Sequence, residues 1–139
     1  MEPANDRTAT PCVLIVDDEP TLRRLMRRAL SGIGLEVVEA ANGLEALEQF
    51  RAHEVVAIVS DVRMPLMGGI ELVEQLQGLA PDVPVVLVSG SEEVPSRAAA
   101  HALGAFDFLA KPFDLFELGC RVLSAVAAHA PRLQRQHVA

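Results

Sequence analysis

The chain alternates short, largely apolar runs with longer stretches in which apolar residues recur every three or four positions. The short runs have the length of strands and little polar alternation, which is typical of buried parallel strands. They predict five strands, at about residues 12–16, 35–40, 55–60, 85–88 and 106–110. The helical periodicity predicts a helix after each strand, starting at about residues 20, 43, 69, 92 and 115. Asn42 and Asp114 can cap the second and fifth helices, and Pro131 should end the fifth.

This alternation indicates an α/β fold, in which helices cover both faces of a doubly wound parallel sheet. With 139 residues the chain has the length of one domain. We expect that domain to occupy residues 11–130, with an N-terminal tail over 1–10 and a loose C-terminal tail over 131–139.

Composition limits the cellular compartment and the classes of partner expected for this domain. No apolar run approaches the roughly 20 residues that a membrane span needs, and the polar start has no secretory pattern. The two cysteines lack metal-type spacing, so a reduced cytoplasm is the simplest compartment. The net charge of −7 disfavours direct binding of nucleic acid. The expected class is therefore a cytoplasmic protein that contacts neither membrane nor nucleic acid.

Polar side chains follow four of the five predicted strands. Asp17 and Asp18 follow the first strand, Asp61 the third, Ser89 the fourth and Lys111 the fifth. The carboxyl ends of the strands form the binding crevice of an open α/β sheet, so these groups should meet there.

Converging carboxylates repel each other unless a cation joins them, and oxygen ligands suit Mg²⁺ best. A lysine can then neutralise an anion that binds beside the metal. Together these groups are the ones needed for phosphoryl transfer onto a carboxylate. Taken alone, Asp17 and Asp18 would more often form a turn or a helix cap. Asp61 and Lys111 in the same pattern make the metal interpretation the stronger one.

Four segments together resemble the response-regulator receiver domain of two-component signalling, in its chemotaxis-regulator-like single-domain form. The segments are 13–20, 60–65 with Gly69, 88–90 and 111–113, and the resemblance spans about residues 11–127. It implies a flavodoxin-like (βα)₅ three-layer sandwich with strand order 2-1-3-4-5.

The resemblance also implies the chemistry of the site. Asp61 matches the phosphoacceptor, and Asp17 and Asp18 match the pair that binds Mg²⁺ or Mn²⁺. Asp61 and the backbone carbonyl of Arg63 should complete the protein ligands of the metal. The chain would then not be an enzyme in the usual sense, beyond slow self-dephosphorylation.

Three further residues match the family's switch positions. Lys111 should pair with the phosphoryl group, and Ser89 should hydrogen-bond one of its oxygens. Phe108 matches the aromatic switch residue, which would rotate inward when Ser89 moves. Lys111–Pro112 resembles the family's cis peptide. Gly68 stands where the family often has Asp, and we expect it to loosen the loop after the site.

The family implies its partners as well. The phosphoryl donor would be a histidine kinase or a histidine phosphotransfer protein. The output would be an unknown downstream protein, or a second copy, that binds the surface of helix 4, strand 5 and helix 5. Alternatives are a phosphorelay intermediate or phosphate sink, and a receiver separated from a hybrid kinase or a DNA-binding regulator. An aspartyl-phosphate hydrolase is disfavoured, because Arg63 stands where its second acid should be.

Helix one carries a basic face that the site does not use. It is formed by Arg23, Arg24, Arg27 and Arg28. It is either a solvated surface or an electrostatic guide for an acidic kinase or phosphotransfer helix, and the sequence leaves both interpretations open.

Overall fold

The computed structural model describes residues 8–90, 94 and 96–138, with side chains from residue 10 to residue 129 within those ranges. Strands and helices alternate through this part of the chain, as predicted. They are β1 Thr8–Val16, α1 Pro20–Gly32, β2 Val37–Ala40, α2 Gly43–Ala52, β3 His53–Asp61, α3 Gly69–Leu79, β4 Val85–Ser89, α4 Arg97–Ala102, β5 Asp107–Ala110 and α5 Leu115–Val138.

The five strands form one parallel sheet in the order β2-β1-β3-β4-β5. This is the flavodoxin-like order, so the predicted fold class is confirmed. No helix in the described part of the chain has the length and apolar character that a membrane crossing needs.

The sheet has a hydrophobic core on each face, because successive side chains of a strand point to opposite sides. Leu14 of β1 packs with α2, α3 and α4, whereas its neighbours Val13 and Ile15 pack with α1 and α5. The same division holds in β4, where Leu87 joins the first core and Val86 the second. The strands are therefore covered on both sides, which is why their sequences read as continuous apolar runs.

Three predicted boundaries are wrong. β1 begins at Thr8, inside the predicted N-terminal tail, because its backbone pairs with His53 of β3 although its first residues are polar. α4 begins at Arg97 and not near residue 92, because the Ser96 side chain accepts a hydrogen bond from the backbone N–H of Ala99. Residues 92, 93 and 95 of that prediction lie outside the described residues.

The fifth helix continues through Pro131 to Val138, so it occupies most of the predicted C-terminal tail. A proline removes one backbone hydrogen bond and strains one turn, at a cost of about 3 kcal/mol. That penalty is local, so a helix can bend at the proline and continue. Residue 139 and the first seven residues of the N-terminal tail lie outside the described part of the chain.

Candidate functional site

The register between β1 and β3 brings two of the predicted acids together. Val16 of β1 lies opposite Ser60 of β3. Asp17 and Asp61 are the next residues, so they lie side by side where the two strands end. Asp17 remains fixed to the sheet, because its backbone N–H donates to the carbonyl of Ala40 at 3.1 Å.

The registers of β4 and β5 add the hydroxyl and the lysine. Ser89 at the end of β4 lies opposite Ala110 of β5. The backbone N–H of Lys111 donates to the carbonyl of Ser89 at 2.9 Å, which places the lysine beside the strand ends. The peptide bond between Lys111 and Pro112 is cis, as the resemblance predicted.

Asp17, Asp18 and Asp61 form a cluster of three carboxylates. Each offers an oxygen, and these oxygens all lie within 4.8 Å of one another. Asp17 is fully buried, Asp61 is nearly so, and Asp18 is exposed. The cluster therefore opens to solvent on the side of Asp18, where an ion could enter and keep part of its water shell.

The Asp17 side chain shows that this cluster suits a cation. Its Oδ1 accepts a hydrogen bond from the backbone N–H of Glu19 at 2.8 Å, whereas its buried Oδ2 has no hydrogen-bond partner among the described residues. Burial raises the pKa of Asp17, and the Asp61 charge adds to this, while the Glu19 N–H and Lys111 oppose it. A buried anionic oxygen without a donor is what a divalent cation would satisfy. The residues present thus fit Mg²⁺ or Mn²⁺.

Lys111 reaches into the same cluster. Its Nζ donates to Oδ2 of Asp61 at 3.2 Å and lies 3.8 Å from Oδ2 of Asp17. Ser89 is buried and lines a cleft of about 290 Å³ together with Asp61, Lys111, Arg63 and Gly90. The Asp61 carboxylate, the Ser89 hydroxyl and the Lys111 ammonium group therefore face one small space, and this convergence was predicted from the sequence.

Arg63 lies between this cleft and a second, larger one of about 550 Å³. The second cleft is also lined by Asp18 and Glu71, so the two clefts share the acidic cluster as a common border. Arg63 lies two residues after Asp61, which suits the predicted use of its carbonyl as a metal ligand. That role stays a prediction.

The loop after Asp61 is tightly packed, contrary to the expectation for Gly68. Gly68 is buried, and its N–H donates to Oε1 of Glu71 at 3.2 Å. A methyl group at Gly68 would overlap the carbonyl oxygen of Val62, and one at Gly69 would overlap that of Asp61. The two glycines therefore permit close backbone contact around Asp61, rather than loosening the loop.

Phe108 is 7% exposed and belongs to the core on the α2, α3 and α4 side of the sheet. The inward rotation expected from the resemblance is not needed to bury this ring, because the ring is already buried here. Its role as a switch stays a prediction.

Two charged strand residues that pair with arginines of neighbouring helices, Glu39 and Asp107, were not identified from the sequence. Glu39 of β2 accepts from Nε of Arg23 at 2.8 Å and from Nη1 of Arg27. Burial would raise the pKa of Glu39, but the hydrogen bonds from Arg27 and Arg23 outweigh it and leave the pKa below its ordinary value. Two of the four arginines of helix one are therefore paired with β2, and the choice between a solvated surface and an electrostatic guide stays open for a face that Glu39 partly neutralises.

Asp107 of β5 joins α4 to α5. Its Oδ1 accepts from Nε of Arg97 at 2.9 Å and its Oδ2 accepts from Nη1 of Arg121 at 2.9 Å. Burial would raise the pKa of Asp107, but the backbone N–H of Phe108 and the Arg121 guanidinium outweigh it and lower the pKa. A charge inside a short apolar strand is the signal that could have indicated both this pairing and that of Glu39.

Comparison with known proteins agrees with this geometry. Residues 13–123 match the sequence family described as the response regulator receiver domain. The chain is 34% identical over 126 residues to the DNA-binding transcriptional regulator NtrC of Escherichia coli (strain K12), covering 91% of this chain and 27% of that protein. It is 37% identical over 119 residues to response regulator MprA of Mycobacterium tuberculosis (strain ATCC 25618 / H37Rv), covering 86% of this chain and 52% of MprA. The chain thus spans about a quarter and about half of these two relatives.

A solved structure shows the same likeness. The receiver domain of NtrX from Brucella abortus superimposes with a TM-score of 0.76 and 28% sequence identity. The superposition covers 83% of this chain and 98% of that domain, so the two share the whole fold.

Proposed function

The chain belongs to the response regulator receiver domain family, and from that premise we propose that it is a phosphoacceptor switch. Asp61 would take a phosphoryl group from a histidine kinase or from a histidine phosphotransfer protein. The observation that carries the proposal is the contact between the Lys111 ammonium and the Asp61 carboxylate, within a cluster of three acids.

The transfer is a displacement at phosphorus. A carboxylate oxygen of Asp61 forms the new P–O bond as the P–N bond of phosphohistidine breaks. The leaving imidazole nitrogen keeps the electron pair of that bond and takes up a proton. Lys111 neutralises charge on the phosphoryl oxygens from its position 3.2 Å from Oδ2 of Asp61, and Ser89 lies where its hydroxyl can donate to one of them.

Carboxylates of Asp17, Asp18 and Asp61 and the carbonyl of Arg63 would hold the Mg²⁺ or Mn²⁺ ion. When bound, this ion would screen the repulsion between the acceptor carboxylate and the incoming phosphoryl group. The Oδ2 of Asp17 supports this assignment, because no residue in the described part of the chain donates a hydrogen bond to it.

The output surface proposed is that of α4, β5 and α5. Asp107 ties these elements together through Arg97 and Arg121, and Lys111 follows β5 directly. A phosphoryl group on Asp61 that shifts Lys111 from its present contact would therefore act on the strand that carries this network. The partner would be a downstream protein or a second copy of the chain, in the cytoplasm. We expect self-dephosphorylation to be the only reaction that the chain itself performs on the phosphoryl group, and to be slow.

The test is intact-mass spectrometry after incubation with acetyl phosphate, with Mg²⁺ and with EDTA. Wild type should gain one phosphoryl group only with Mg²⁺, and hydroxylamine should remove it because the product is an acyl phosphate. Asp61→Asn should gain none. Asp114→Asn is the matched control, because Asp114 is an exposed carboxylate that caps α5 through an oxygen that asparagine retains. Modification of Asp61→Asn at the wild-type rate would overturn the assignment.

The likeness to the transcriptional regulator NtrC supports a second candidate, in which this domain is the receiver of a transcriptional regulator. The acidic charge of −7 argues that DNA would then be bound by other residues. The phosphorelay alternative is distinguished by mixing the phosphorylated chain with a histidine phosphotransfer protein. Rapid loss of label to the histidine would favour the relay, and retention would favour the switch.

A further inference from the structure

The peptide group between Asp17 and Asp18 joins two of the candidate metal ligands. Its carbonyl oxygen accepts a hydrogen bond from Nη1 of Arg23 on α1. Because the peptide group is planar, holding this oxygen restricts ψ of Asp17 and φ of Asp18 together. These two torsions set the direction of the Asp18 carboxylate relative to that of Asp17.

Arg23 is itself firmly held. Its Nε donates to Oε1 of Glu39 at 2.8 Å, and its side chain is only 20% exposed. Arg27 occupies the other oxygen of Glu39, whose backbone carbonyl accepts from Gln49 of α2 at 3.3 Å. The guanidinium of Arg23 thus spans two acceptors, one on β2 and one in the loop that carries the acids. A planar group with several fixed donors is suited to this, whereas a lysine ammonium is a single point.

We propose that Arg23 is a positioning residue for the divalent-cation site, acting through the peptide between Asp17 and Asp18. This inference rests on the metal dependence of the proposed function. Arg23 touches neither the ion nor the phosphoryl group. It holds the backbone from which two of the ligands project, so that the cluster is preorganised before the ion arrives.

Arg27 provides an internal comparison. It binds the same Glu39 carboxylate, and its side chain is 49% exposed. Among the described residues, it makes no hydrogen bond to the loop of Asp17 and Asp18. Replacing either arginine with glutamine removes one positive charge near the acids, which by itself should strengthen cation binding slightly. Only replacement of Arg23 also releases the Asp17 carbonyl, so the two effects have opposite signs and can be separated.

The experiment measures Mn²⁺ binding directly, from the electron paramagnetic resonance signal of the free ion, in wild type, Arg23→Gln, Arg23→Lys and Arg27→Gln. By analogy with other residues that orient metal ligands, both Arg23 variants should bind about 10-fold more weakly than wild type. Arg27→Gln should bind as tightly as wild type or slightly more tightly. Urea unfolding of each variant in EDTA checks that the variant is folded. If Arg23→Gln does not fold, Arg23→Lys still provides the test.

A kinetic readout separates positioning from general damage. The Mg²⁺ concentration that half-saturates modification by acetyl phosphate should rise about 10-fold in Arg23→Lys. The rate at saturating Mg²⁺ should stay within about twofold of wild type, because the acceptor and Lys111 are untouched.

Two results would overturn the proposal in different ways. If wild type binds Mn²⁺ and both Arg23 variants bind it equally well, Arg23 does not position the site, and the proposed function stands. If wild type binds no Mn²⁺, the metal dependence of the proposed function fails first, and the role of Arg23 fails with it. Weakening in Arg23→Gln but not in Arg23→Lys would show that a single ammonium donor serves as well as the guanidinium that spans both acceptors, and would also overturn the proposal.

Discussion

Replacing Asp17 with asparagine should stabilise the metal-free protein and destabilise the protein relative to wild type when Mg²⁺ saturates it. Asp17 is fully buried, and within residues 8–90, 94 and 96–138 its Oδ2 finds no hydrogen-bond partner. Asparagine keeps the Oδ1 that accepts from Glu19, and it places an uncharged NH₂ donor toward the other carboxylates. Burial raises the pKa of Asp17, which reflects the same preference for an uncharged group at this position.

The magnitude follows from three terms. A buried polar atom without a partner costs about 1–3 kcal/mol. Asp18 and Asp61 each have an oxygen within 4.8 Å, and each adds a repulsion of about 0.9 kcal/mol or more in a water-like dielectric. The attraction of the Lys111 ammonium, 3.8 Å from Oδ2 of Asp17, offsets about 1 kcal/mol of this cost on the same scale. These terms sum to about 2–4 kcal/mol, so the variant should be more stable than wild type by about 3 kcal/mol without metal.

Bound Mg²⁺ reverses the order. At a free concentration about 1,000 times the dissociation constant, the ion stabilises the folded protein by about 4.1 kcal/mol, which exceeds the advantage of the metal-free variant. The asparagine variant should lose most of that gain, because one of its anionic ligands is gone.

The assay is urea unfolding followed by far-ultraviolet circular dichroism, since the chain has no Trp or Tyr for fluorescence. Wild type, Asp17→Asn and the control Asp114→Asn are compared in EDTA and in saturating Mg²⁺. If Asp17→Asn is less stable than wild type in EDTA, the pairing with Lys111 outweighs desolvation and repulsion, and the reasoning is wrong. If Mg²⁺ stabilises both proteins equally, Asp17 is not a ligand.

Three further predictions test other parts of the structure. Burial raises the pKa of Cys12 to about 11, whereas Cys120 is exposed. A thiol reagent should therefore label one cysteine per folded chain and both cysteines after unfolding. Rapid labelling of both cysteines in the folded chain would contradict the burial of Cys12. The lowered pKa of Asp107 adds stability that is present above its unfolded-state value of about 3.9 and is lost as pH falls through the folded value. The urea midpoint of Asp107→Asn should therefore fall less steeply than that of wild type below about pH 4, and equal slopes would show that the network adds nothing. Gly104 has φ +104°, so Gly104→Ala should lower the free energy of unfolding in urea by about 1 kcal/mol or more. Gly78 lies in a helix with open space around it, so Gly78→Ala should raise the free energy of unfolding by up to about 1 kcal/mol. Equal effects of the two substitutions would refute this prediction.

Much of the fold could be predicted because its signals are local. Apolar runs marked the five strands, and the cap at Asn42 and the glycine at the start of α3 lay where the sequence placed them. The start of α4 was missed because Ser96 and residues before it carry similar cap signals. The end of α5 was missed because the penalty of one proline is smaller than the stability of a long helix.

The sequence by itself determined which residues end the strands, and hence that Asp17, Asp61, Ser89 and Lys111 share one edge. This follows because strand periodicity is set by the nearest neighbours along the chain. The tertiary structure alone decided which charges pair, such as Arg23 with Glu39 across 16 positions, since that depends on register between elements. It also decided that the Asp17 Oδ2 finds no hydrogen-bond partner in the part of the chain that the structure describes, because burial of this oxygen depends on every strand and loop around it.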